Sequence, residues 1–115
     1  MVTVKRIVPD ISYRNPEQMK AFYRDVLGLS PVMDMGWVAT MAVDAVAKPQ
    51  VTMLKDMGEE PPVMSIEVDD VDAAHQAALD FGATIARAIR DEEWGVRRFF
   101  VRDPDGNLLN ILAHC

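Results

Sequence analysis

The feature that most constrains this chain is that its two halves repeat one another. Asn15 in the first half matches Asp70 in the second, Gly28 matches Gly82, and Trp37 matches Trp94. Val51-Thr52-Met53-Leu54 matches Leu109-Asn110-Ile111-Leu112. The offset drifts only between 54 and 58 residues. A repeat of about that length is one supersecondary unit used twice, so the fold has to be one in which two copies of a small α+β module complete each other.

Each half reads as strand, helix and three strands. Residues 3–13 alternate as a strand, with Pro9 suiting an edge or an irregular pairing. Asn15 caps a helix that has Pro16 at its first position and Glu17 in its first turn. Met19, Phe22, Tyr23, Val26 and Leu27 form its apolar face, and Gly28 stops it. Strands follow at Ser30–Met35, Trp37–Val43 and Gln50–Lys55, and residues 56–62 (DMGEEPP) read as a linker. The second half restarts with a strand over Val63–Val68 and a helix capped by Asp70 that runs to Gly82. Three strands complete it, Ala83–Asp91, Gly95–Arg102 and Asn107–His114. Asp103-Pro104-Asp105-Gly106-Asn107 is hairpin-turn chemistry, not a calcium loop, because it lacks the longer run of oxygen ligands and the closing Glu. The expected organisation is therefore α+β: one domain over 1–115, with module one at 1–55, the linker at 56–62 and module two at 63–115.

Three stretches, FYRDVLGL (22–29), IEVDDVDAA (66–74) and FFVRDPDGNLLNIL (99–112), in this order and spacing, resemble the vicinal oxygen chelate superfamily. That superfamily holds glyoxalase I, bleomycin resistance proteins and extradiol dioxygenases. The resemblance implies tandem βαβββ modules forming curled half-barrel sheets with helices on the outer face, and a homodimer. It does not fix an activity, since one fold hosts many chemistries. Metal-dependent members carry His, Gln or Glu at four positions that fall here on Val8, Thr52, Val63 and Asn110. Two valines offer no donor, and a divalent ion needs at least three good ones. Cys115 is the single cysteine, His75 falls on the second helix, and His114 lies roughly 13 Å along the last strand from Asn110. No metal and no other cofactor is expected.

Residues two apart on a strand share a face, so Val8 brings Asp10 and Ser12, and Val63 brings Ser65 and Glu67. The resemblance puts Trp94, Val96, Arg98, Phe100 and Arg102 on the pocket side of module two, and module one should contribute Trp37, Ala39, Met41 and Val43. The expected ligand-binding set is Trp37, Met41, Trp94, Arg98, Phe100, Asp10, Ser65 and Glu67: aromatic and aliphatic surface with a few polar groups, which suits an organic molecule. The tryptophans can stack a flat ligand or fill the core. Arg98 can hold a carboxylate or phosphate, or pair internally with Asp10 or Glu67.

Charge narrows the partners. A net charge of -6 and a pI near 4.7 disfavour nucleic acid, and the main basic group, Arg97, Arg98 and Arg102, is flanked by acidic residues. No apolar run approaches membrane-spanning length, so a cytoplasmic protein without a membrane partner is expected. No Ser-His-Asp or Cys-His arrangement is visible. The leading expectation is metal-independent binding of a drug-like or metabolite molecule in a dimeric groove, nearest the metal-free bleomycin-resistance-like members and suggestive of antibiotic resistance. The acidic balance favours a cationic ligand. The alternatives are a glyoxalase-type metal-dependent lyase or dioxygenase with unusual ligands, and a metal-free isomerase or hydrolase relying on Asp10, Glu67 or Arg98.

Overall fold

The computed structural model describes residues 2–25, 28–42, 50–55 and 58–115. Val26, Leu27, Val43, Asp56 and Met57, which the sequence places in the first helix, the third strand and the linker, lie outside the described residues. The elements are β1 (Val4–Tyr13), α1 (Pro16–Asp25), β2 (Ser30–Asp34), β3 (Val38–Ala42), β4 (Gln50–Lys55), β5 (Met64–Val68), α2 (Val71–Phe81), β6 (Thr84–Asp91), β7 (Val96–Arg102) and β8 (Leu108–His114). The chain is α+β and contains the βαβββ module twice.

Both modules have one topology. In the first, β1 pairs in parallel with β4, and β4–β3 and β3–β2 are antiparallel, giving the order β2-β3-β4-β1. In the second, β5 pairs in parallel with β8, and β8–β7 and β7–β6 are antiparallel, giving β5-β8-β7-β6. Each parallel pair is joined through its helix, as a crossover requires. Two compact units result: Val8–Pro61, and Pro62–Cys115 together with the residues up to Ile7. The first residues of β1 thus group with module two, where the Thr3 amide donates to the Asp69 carboxylate at 3.0 Å and the Asp69 amide donates to the Thr3 carbonyl at 3.1 Å.

The helix ends follow local chemistry. Asp70 is extended, and its carboxylate accepts from the Ala73 amide at 3.0 Å. This satisfies one of the amides that a helix start leaves without a partner. Gly82 closes α2 at φ 84°, a left-handed conformation in which a side chain would be strained. Gly28 (φ 71°) does the same after α1, where the Leu29 amide donates to the Tyr23 carbonyl at 3.0 Å.

Each helix covers one face of its own sheet. Met19 and Tyr23 of α1 pack on Tyr13, Met41, Val51 and Met53. Phe22, expected on the same apolar face, is about half exposed and meets Tyr23 edge-on at 5.4 Å. In module two Val68, Val71, Phe99, Val101 and Ile111 form the core, with Ala74 and Ala78 of α2 packed against it. His75 of α2 packs edge-to-face with Phe99, their ring centres 5.0 Å apart.

Candidate functional site

In module two, strand parity separates a face that packs on the helix from the opposite face. Phe99 and Val101 of β7, Leu109 and Ile111 of β8 and Ile66 of β5 face α2. Their alternates, Arg98, Phe100, Asn110, Leu112, Ser65 and Glu67, therefore share the opposite face. The register aligns them in rows. Phe100 stands across from Asn110, and Asn110 from Ser65; Arg98 stands across from Leu112, and Leu112 from Glu67. The structure thus brings Arg98, Phe100, Ser65 and Glu67 together, as the sequence expects.

The centre of this face is a stack of cations and rings. The Arg98 guanidinium lies 5.0 Å from the Trp94 ring centre and 5.0 Å from that of Phe100, and the Arg87 guanidinium lies 5.5 Å from the centre of Phe100. Guanidinium groups over aromatic faces gain from the ring quadrupole, and more so when water is excluded. The partner of Arg98 is neither Asp10 nor Glu67 but Glu92, which the sequence analysis did not select. Glu92 Oε1 accepts from Arg98 Nε at 3.3 Å and from Arg90 Nε at 2.8 Å. Burial draws the Arg98 pKa below its ordinary value, partly offset by Glu92. Burial also works to raise the carboxyl of Glu92, but the bonds from Arg90 and Arg98 outweigh it and hold the group below the usual carboxylate range.

Arg87 and Arg90 reach this face through two irregularities in β6. The pairing with β7 shifts between Ile85 and Arg87, and again between Arg87 and Arg90. Ile85 and Ile89 remain packed against the α2 side, while Arg87 stands across from Phe100 and Arg90 across from Arg98. Strict alternation would have set Arg87 between two core isoleucines. That conflict in the sequence is the signal that could have revealed a bulge, which re-aims a side chain in this way.

Glu67 has its own partners. Its carboxylate accepts from Arg6 Nε and lies 2.7 Å from His114 Nδ1. Burial works to raise the Glu67 pKa, and the hydrogen bonds to Arg6 and His114 more than reverse it. Asn110 is buried. Its Nδ2 donates to Ser65 Oγ at 3.0 Å, and its Oδ1 is buried with no hydrogen-bond partner among the described residues.

Module one does not present the face the sequence analysis assigned to it. Met41 is fully buried in the core beneath α1, with Tyr13, Met53 and Met19, so it is not a pocket residue. The face away from α1 carries Asp10, Thr52 and Thr40, with Asp10 across from Thr52 and Thr52 across from Thr40. The Thr40 and Thr52 hydroxyls lie 2.8 Å apart. Trp37 and Trp94 are 57 residues apart. Thr40 stands across from Thr52 as Phe100 does from Asn110, an offset of 60. The two offsets differ by an odd number, which turns every side chain to the other face. Trp37 lies half-buried in the turn before β3, and its carbonyl accepts from the Lys55 amide at 2.8 Å.

The positions that would hold a metal do not fit one. Val8 is buried and apolar, and Val63 precedes β5 and is 44% exposed, so the residue across from Asn110 is Ser65. Thr52 is bonded to Thr40. Among the described residues no group of three or more His, Cys, Asp or Glu side chains is placed to hold an ion. Hydroxyl and amide oxygens alone make a poor site for zinc or another transition metal. A depression of about 540 Å³ at the start of α1, lined by residues such as Asn15, Gln18 and Phe22, contains none of the expected ligand-binding residues.

Two βαβββ modules in tandem define a class, and comparison with known proteins places the chain in it. Residues 4–111 match the family model of the Glyoxalase/Bleomycin resistance protein/Dioxygenase superfamily, and the chain belongs to that superfamily. An uncharacterized protein of Mycobacterium bovis is 43% identical over 51 residues, 44% of this chain. That match spans 34% of the mycobacterial protein, about a third of its length. Among solved structures, methylmalonyl-CoA epimerase from Mycobacterium tuberculosis is similar with a TM-score of 0.75 at 17% identity, over 97% of this chain and 89% of that one. The Mn(II)-bound glyoxalase from Novosphingobium aromaticivorans is similar with a TM-score of 0.73 at 24% identity, over 98% of this chain and 40% of that one. At these identities the likeness is one of fold. No helix among the described residues is long and apolar enough to cross a membrane.

Proposed function

We propose that this chain is a metal-independent binder of a small organic molecule, in the manner of the bleomycin-resistance-like members of its superfamily, and that it works as a cytoplasmic homodimer. Asn110 carries the reading. It stands where metal-dependent members bring a carboxylate, its amide nitrogen is committed to Ser65, and its Oδ1 is a buried acceptor with no partner among the described residues. Leaving such an atom unpaired costs roughly 1–3 kcal/mol. An N–H or O–H of an organic ligand would remove that cost. Elemental analysis of the purified protein, with tryptophan-fluorescence titrations of small aromatic compounds before and after chelation, tests the reading. Binding that survives chelation is expected; a stoichiometric bound metal, or binding that chelation abolishes, would refute it. Sedimentation at a dimer mass, and not at the 12.8 kDa of one chain, tests the assembly.

A second reading is favoured by the contact between Glu67 and His114. A carboxylate bonded to one imidazole nitrogen fixes the ring and its tautomer, the arrangement used for acid–base catalysis. On this reading the face supports a metal-free proton transfer, with His114 as the group that exchanges the proton and Arg6 holding Glu67 in place. A turnover that is lost in His114→Ala while binding persists would select it.

A further inference from the structure

The face of module two opposite α2 is acid-poor although the chain as a whole is acidic. Three guanidinium groups, Arg87, Arg90 and Arg98, stand against the single carboxylate of Glu92, which Arg90 and Arg98 share. Glu67, on the same face, is engaged by Arg6 and His114. Among the described residues Arg87 has no carboxylate within ion-pair distance; its contact is with the Phe100 ring. The stack Trp94, Arg98, Phe100, Arg87 ends on this cation and holds it from one side. Both register shifts of β6 serve to bring Arg87 and Arg90 here instead of burying Arg87 against α2. A cation set on a fixed platform with its hydrogen-bonding edge uncommitted is what a carboxylate or phosphate oxygen pair engages.

The geometry points to Arg87 as the seat of an oxyanion, a carboxylate or a phosphate group, so that the molecule taken by this face is an anion. The assignment rests on the ligand-binding reading and reverses the sign that the net charge suggests. Arg90, 56% exposed beside Glu92, adds a second positive group within the field of the bound anion. Along the same row Phe100 and then Asn110 follow Arg87 across the sheet. The α-carbons of Arg87 and Asn110 are two strand spacings apart, about 10 Å. Asn110, buried, closes the far end of that row.

Titrating the full chain carrying Trp37→Phe, so that Trp94 alone reports, with benzoate, phenyl phosphate, phenyltrimethylammonium and inorganic phosphate tests the assignment. Benzoate and phenyl phosphate are expected to change the Trp94 emission, and phenyltrimethylammonium is not. Arg87→Ala should weaken the anions at least about tenfold, the loss of one charge-assisted pair. Arg87→Lys should recover part of that loss, and neither variant should shift the melting temperature enough to unfold the protein at the assay temperature. Inorganic phosphate competing as well as phenyl phosphate supports the seat and makes a free phosphate its occupant; failing to compete supports it and makes the organic anion the occupant. Anion affinity unchanged in a folded Arg87→Ala, no response to either organic anion at millimolar concentration, or equal binding of the cation overturns the assignment while leaving metal-free binding standing. Anion binding that appears only on adding a metal overturns the ligand-binding reading instead.

Discussion

Arg98 and Glu92 form an ion pair at 3.3 Å in which both side chains are about nine-tenths covered, 11% and 7% exposed. A pair so enclosed is weak evidence for net stability, yet removing one member leaves the other charge buried alone. Glu92→Gln keeps the shape and removes the charge. It is expected to destabilise the chain by about 2–3 kcal/mol in urea denaturation. Equal stability of wild type and variant would mean that Arg98 reaches another acceptor or water.

Acid should weaken the fold through the same face. Glu67 and Glu92 are both held below the usual carboxylate range, for the reasons given above. With a folded pKa below the unfolded one, the unfolded chain takes up protons first. The contribution is therefore present above the ordinary glutamate value of about 4.3 and is lost as pH falls through the lower folded values. Melting temperature followed downward from about pH 6 should drop below that point, and Glu67→Gln should flatten the drop. A variant curve parallel to the wild type would contradict this.

Met41 should behave as core. Met41→Ala is expected to cost about 2–5 kcal/mol, the range for emptying a well-packed methionine site, without altering the ligand affinity of the folded protein. A selective loss of affinity would return Met41 to the binding face.

The two tryptophans should separate. Trp94→Ala removes one ring from Arg98 and a cation–π contact of about 1 kcal/mol, and should lower both stability and ligand affinity. Trp37→Phe, in the turn before β3, should leave the ligand response intact. The reverse pattern in paired melting and fluorescence titrations would move the site to module one.

Element boundaries were legible because they are set locally. Asp70 caps, Gly28 and Gly82 stop, and Ser65, Glu67 and Asn110 declare their face by alternation alone. Two things were hidden. The face of Met41 depended on an offset between modules, and a pair of tryptophans is a poor ruler when a hairpin has gained or lost an odd number of residues. Arg87, Arg90 and Glu92 were missed because a bulge belongs to the pairing of two strands, and no single strand records it; only the awkward placing of Arg87 between Ile85 and Ile89 hinted at one. The partner of Arg98 was out of reach for a related reason. Glu92 follows β6 in the turn to β7, where strand parity has ceased to apply.

The irregular pairing of the outermost strands also bears on how copies of the chain can meet. Among the described residues β6 borders one sheet and β2 the other, and each breaks register with its neighbour, β2 between Pro31 and Met33. A bulged rim offers the next chain no straight row of amides and carbonyls, and Pro31 withholds an amide altogether. At β2 and β6, then, the bulges that aim side chains also make the strand a poor template for a further strand from another chain.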